Sequence, residues 1–75
     1  MKVEIKYCTS WGYLPKATSM AALLKDKYEL EDVNLVPSSG GAFEVSLDGK
    51  LIYSKLKTGR FPEEKELTDA IDKAL

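Results

Sequence analysis

Cys8 is the one side chain in this sequence with nucleophilic and redox chemistry of its own, and no histidine occurs among the 75 residues. That pairing of counts removes intramolecular disulfides, Cys/His zinc sites and every Cys-His or Ser-His-Asp arrangement. What remains is a thiol whose reactivity must come from its surroundings. Cys8 follows an alternating segment and precedes the glycine-bearing run Thr9 to Leu14, so it lies where an extended chain turns toward a helix. Exposed amide N–H groups and the positive end of the helix dipole favour thiolate over thiol at such a junction, and Lys16 and Arg60 add positive charge if they reach it. The plainer reading is a small buried hydrophobe, the common fate of a free cysteine.

Other candidates carry two readings each. Ser38-Ser39-Gly40-Gly41 either offers backbone N–H groups to an anionic or peptide ligand, since glycine permits close approach, or is only a flexible connection. Arg60 is either a partner for a carboxylate of glutathione or of a peptide, or a solvated surface charge. Tyr7, Tyr13, Tyr28 and Tyr53 read as core or rim aromatics, because the basic groove of a nucleic-acid stacking platform is absent. Glu63 and Glu64 fit helix-start electrostatics better than acid-base catalysis.

The elements that position these residues follow from periodicity. Lys2 to Tyr7 alternates, with Val3, Ile5 and Tyr7 on one face, and reads as a half-buried strand. Leu14, Ala17, Ala21, Leu24 and Tyr28 form a helical stripe ending near Tyr28, with Pro15 in the first turn. Val33 to Val36 is a short second strand closed by Pro37. Phe43, Val45 and Leu47 alternate, and Asp48-Gly49 predicts a type I′ hairpin into a fourth strand over Lys50 to Lys57, with Val45 opposite Ile52. Pro62, Glu63 and Glu64 open a C-terminal helix with the stripe Leu67, Ile71 and Ala74.

The order β-α-β-β-β-α predicts an α+β two-layer sandwich: a four-stranded mixed sheet with a right-handed crossover and two helices on one face. Both parallel strands then end at one sheet edge, where ligands of α/β sheets collect. Cys8, the loop from Pro37 to Gly41, the start of the third strand near Ala42 and Phe43, and the segment Thr58 to Phe61 should converge there.

Composition bounds the rest. Hydrophobic residues at 44% and charged residues at 31% describe one small globular domain spanning residues 1–75. Eleven basic against twelve acidic side chains give a net charge of −1, which argues against a nucleic-acid partner. The longest apolar run, Met20 to Leu24, is five residues, against roughly 20 for a bilayer span. The alternating N-terminus resembles no secretory signal, so a cytoplasmic, monomeric protein is expected. No motif points to a nucleotide, flavin or metal cofactor.

Tyr7-Cys8-Thr9-Ser10-Trp11-Gly12-Tyr13-Leu14-Pro15-Lys16 resembles the redox-motif region of selenoprotein W and its bacterial and archaeal relatives, the Rdx or SelT/SelW/SelH group. Gly40-Gly41-Ala42-Phe43-Glu44-Val45, Asp48-Gly49-Lys50-Leu51-Ile52 and Gly59-Arg60-Phe61-Pro62 resemble the remaining segments of that pattern, in order. The resemblance implies a thioredoxin-like fold and a thiol redox protein whose partners are glutathione, as co-substrate, or partner-protein thiols. The candidate substrate and partner contacts read from the converging sheet edge are Tyr13, Lys16, Ser38, Ser39, Gly40, Gly41, Phe43, Arg60 and Phe61. The family's redox pair is C-x-x-U or C-x-x-C, with Cys8 at its first position and Trp11 at its second. In the complete motif the second residue attacks and the first resolves. Tryptophan forms neither a disulfide nor a selenenylsulfide, so the chain as written does not cycle as a dithiol.

Two explanations of Trp11 stand. Selenocysteine is encoded by UGA, which a heterologous host can misread as tryptophan, so Trp11 stands in for a native selenocysteine. Otherwise Trp11 is native, and the protein is a one-cysteine variant or a non-enzymatic interaction module whose edge of Trp11, Tyr13, Phe43 and Phe61 docks a partner.

Overall fold

The computed structural model describes residues 1–75 and contains β1 (Val3–Cys8), α1 (Leu14–Tyr28), β2 (Asn34–Ser38), β3 (Phe43–Leu47), β4 (Lys50–Ser54), α2 (Lys55–Thr58) and α3 (Glu64–Ala74). The strands form one mixed sheet in the order β2-β1-β3-β4. β1 pairs parallel with β2 and antiparallel with β3, so Ile5 stands beside Leu35 on one side and Val45 on the other. Val3, Ile5, Val45, Ala17, Ala21, Leu24, Leu67 and Ile71 belong to a single core, which places α1 and α3 on one face of the sheet. The other face is polar, with Lys6 exposed and Glu4 accepting a hydrogen bond from Asn34.

The α+β sandwich and its four-stranded mixed sheet match the expectation, and the local departures have physical causes. Asp48 and Gly49 take the positive φ angles of a I′ turn, 50° and 84°. A bulge between Val45 and Ser46 then sets Val45 opposite Tyr53, not Ile52. The shift buries Tyr53, whose hydroxyl donates to the Arg60 carbonyl at 2.6 Å. β4 stops at Ser54 because the chain coils into α2, giving three helices where two were expected. Ser54 Oγ accepts from the Lys57 amide at 3.2 Å, the Glu44 carboxylate accepts from the Lys55 amide at 2.8 Å, and Gly59 closes the turn with φ 81°.

β2 runs past Val36 through Pro37, which is tolerated because β2 is an edge strand. The helix stripes are each displaced at one position. Leu14 is exposed, and Tyr13, one residue earlier, is buried in its place. In α3, Thr68 is buried and Ala74 is exposed at the last turn. A reciprocal capping box between Glu63 and Glu66 starts α3.

Candidate thiol site

The parallel pairing of β1 with β2 sets Cys8 beside Ser38, at the sheet edge where the sequence places the ligand region. The amide of Cys8 donates to the Ala42 carbonyl at 2.8 Å, and the amide of Thr9 donates to the Ser38 carbonyl at 3.2 Å. The end of β1 is thereby tied to the loop between β2 and β3 from both sides. Gly40 and Gly41 turn that loop with φ angles of 69° and 76°, a region that residues with side chains rarely adopt. The Gly41 amide is one of the main-chain groups that favour the charged form of Cys8.

Burial pushes the Cys8 thiol up, but the amides of Ser10, Gly41 and Trp11 and the Ser10 hydroxyl outweigh it, and the thiol lies below its ordinary value. The origin of this priming differs from the sequence expectation. α1 begins only at Leu14, with Tyr13 as its N-cap, and the donors at the sulfur belong to the connecting loop and to Gly41. Neither expected cation contributes. Arg60 forms a bidentate pair with Glu66, at 2.5 and 2.7 Å, and this pair holds the Glu66 carboxyl down at about 2. Lys16 lies over the Phe61 ring, 5.2 Å from its centroid.

Cys8 is buried, with 1% of its surface exposed, so the plain reading of the residue as part of the core also holds. Its neighbour in the motif behaves oppositely. Trp11 is 67% exposed, and its ring lies against Gly41, where an added β-carbon would come within 2.9 Å of it. From Trp11 an aromatic row leads away along the edge, through Tyr13 at 6.2 Å between centroids to Phe61 a further 4.7 Å on. Phe43 supports Phe61 from within at 5.3 Å and is fully buried.

Of the expected partner edge, then, Phe43 and Tyr13 belong to the interior, Phe61 is half-buried and Trp11 is open. Ser39 and Gly40 are exposed, while Ser38 is half-buried and its carbonyl is taken by Thr9. Sequence reasoning missed Ser10, whose short side chain two positions after Cys8 bonds locally at a turn. It also missed Lys55, because the residue was assigned to a strand and not to α2. Lys55 stands 5.4 Å from the Tyr13 centroid and 5.3 Å from that of Phe61. No group of three or more His, Cys, Asp or Glu side chains able to hold a metal ion forms anywhere, and no helix is long and apolar enough to cross a membrane.

The family model described as the Rdx family matches residues 2–73. The chain belongs to the Rdx family. Among Rdx-related proteins, Selenoprotein W of Danio rerio is 34% identical over 82 aligned positions that cover all of this chain and 95% of that protein. Migration and invasion enhancer 1 of Bos taurus is 32% identical over 99% of this chain, which spans only 64% of the bovine protein. The solved selenoprotein W-related protein of Vibrio cholerae superposes with a TM-score of 0.90 at 28% identity, covering 97% of this chain and 94% of that one. This Rdx chain is thus similar along its whole length to selenoprotein W.

Proposed function

We propose that this Rdx protein is a selenoprotein W-like thiol redox protein that reacts through Cys8. The observation that carries the reading is the place of Cys8 at the end of β1, tied to the glycine loop through Ala42 and Ser38 at the ligand edge of the sheet, where main-chain donors hold its thiol below the ordinary value. Donors fixed in this way stabilise negative charge without reorganising. With oxidised glutathione, the Cys8 thiolate attacks one sulfur and the glutathione S–S bond breaks. A mixed disulfide forms, and glutathione thiolate leaves to take a proton from water. With hydrogen peroxide, the thiolate takes one oxygen to become a sulfenic acid, and hydroxide leaves to become water. The chain holds no second cysteine to resolve either product, so resolution requires an external thiol.

Position 11 fits the second member of the redox pair, since its amide reaches the Cys8 sulfur and its side chain is open to solvent. A UGA codon there in the native gene makes Trp11 a misread selenocysteine, and a UGG codon makes tryptophan native. Incubation with oxidised glutathione followed by mass spectrometry tests the reading. A single glutathione on Cys8, absent from Cys8→Ser, supports it, and no adduct after long incubation overturns it. The exposed Trp11 also favours a second reading, an interaction module without redox chemistry, which predicts partner binding that survives Cys8→Ser and fails in Trp11→Ala.

A further inference from the structure

Lys16 and Lys55 come from different elements, α1 and α2, yet both ammonium groups stand over the Phe61 ring, at 5.2 and 5.3 Å from its centroid. Lys55 also lies 5.4 Å from the Tyr13 centroid. The Phe61 ring is thus in contact with two cations. Neither has a carboxylate partner. The ion pairs of the fold join Lys25 to Asp32, Arg60 to Glu66 and Lys65 to Asp69. Glu64 shares a shallow cleft with Lys16 without pairing with it. The Glu44 carboxylate is occupied by the Lys55 and Leu56 amides and the Ser54 hydroxyl. On a chain of net charge −1, two uncompensated cations therefore border the row that runs from exposed Trp11 to Phe61, with the loop over Cys8 at its head.

We propose that Lys16 and Lys55 are specificity residues that select a partner protein whose reactive cysteine lies in an acidic segment, its carboxylates docking on the two ammonium groups while its sulfur meets Cys8. This rests on the redox reading of Cys8. The reaction is thiol–disulfide exchange, in which Cys8 thiolate displaces one thiolate from a disulfide of the partner segment. Two cations held in place by aromatic rings attract carboxylates and disfavour ammonium groups at the same spot.

The test uses three symmetrical peptide disulfides with blocked ends, built on Glu-Cys-Glu, Gln-Cys-Gln and Lys-Cys-Lys. Mixed-disulfide formation with Cys8 is timed at low ionic strength, each rate divided by the rate of the same disulfide with a short unstructured thiol peptide. The expected normalised rate is about tenfold higher for the acidic than for the neutral peptide, lower again for the basic one, and convergent at high salt. Lys16→Gln and Lys55→Gln should each reduce the ratio of the acidic to the neutral rate, and Lys55→Glu should reduce it further. Equal normalised rates for the three peptides, or a preference unmoved by the lysine substitutions, overturn the proposal and leave the redox reading intact. Failure of all three peptides to react while oxidised glutathione still forms an adduct on Cys8 overturns the proposal alone, and failure of glutathione as well overturns both.

Discussion

The ring of Trp11 lies directly against the α-carbon of Gly41, close enough that a β-carbon there would stand 2.9 Å from Trp11 Cζ3. Gly41 in turn presents its amide to the Cys8 sulfur, so the exposed ring, the glycine and the buried thiol are stacked in series. Gly41→Ala meets both the φ of 76° and this contact, and should destabilise the fold by about 1–2 kcal/mol. It should also pull one donor from the sulfur, moving the midpoint of pH-dependent Cys8 alkylation upward. Gly40→Ala has open space around its added carbon, so it meets backbone strain alone. It should leave the alkylation midpoint in place. Equal midpoints in Gly41→Ala and the parent would remove the Gly41 amide from the account of the thiol.

Access and charge separate at Trp11. The sulfur belongs to a residue only 1% exposed, and the exposed indole rests on Gly41 of the loop beside it. The donor that position 11 supplies is its main-chain amide, which substitution of the side chain keeps. Trp11→Ala is therefore expected to raise the alkylation rate of Cys8 several-fold at every pH with an unchanged midpoint. A shifted midpoint with no gain in the limiting rate would show that the indole acts on the charge and not on access.

Arg60 and Glu66 make a prediction about acid stability. The folded-state carboxyl of Glu66 sits at about 2, below its ordinary 4.5, because Arg60 and the Glu63 amide bond its charged form. A lowered carboxyl contributes stability above its unfolded value and loses it as pH falls through the folded one. The contribution should be complete above about pH 5 and gone near pH 2. Both side chains are partly solvated, which screens the pair and keeps the effect small. Glu66→Gln should lower Tm at neutral pH, and the gap between variant and parent should close on acidification from about pH 5 to about pH 2. A gap independent of pH would show that the loss does not come from the ionisation of Glu66.

Strand and helix positions were legible because each element carries an unmixed period, from Val3 and Ile5 in β1 to Leu67 and Ile71 in α3. The convergence of Cys8, the glycine loop and the segment ending at Phe61 followed from strand direction alone. Three features were hidden. The bulge at Val45 and Ser46 leaves no trace in an alternating pattern, so Tyr53 replaced Ile52 without warning. The coil at Lys55 depends on a carboxylate eleven residues away, Glu44, which no local window contains. The burial of Phe43 was legible in its alternation with Val45 and Leu47, but that of Tyr13 was not, because a list of aromatic residues at one edge does not say that Tyr13 turns inward onto Phe61.

The most direct prediction concerns restoring a redox pair. Position 11 follows Cys8 at the C-x-x-C spacing on the connecting loop and its side chain is open to solvent, so a cysteine there is expected to close a disulfide with Cys8 after a loop adjustment. Trp11→Cys should therefore pass from the mixed disulfide with glutathione to an internal disulfide between Cys8 and the introduced cysteine. The new thiolate attacks the Cys8 sulfur, and glutathione leaves as a thiolate that takes up a proton to become the reduced thiol. Mass spectrometry should find the oxidised variant two hydrogens lighter and free of adduct, while the parent chain under the same conditions retains one glutathione. Excess reduced glutathione should return both the variant's internal disulfide and the parent's adduct to free thiols, so the difference lies in the first step, which the variant completes without an external thiol. If Trp11→Cys instead accumulates two glutathiones, the loop holds positions 8 and 11 apart, and the site does not act as a redox pair in this fold.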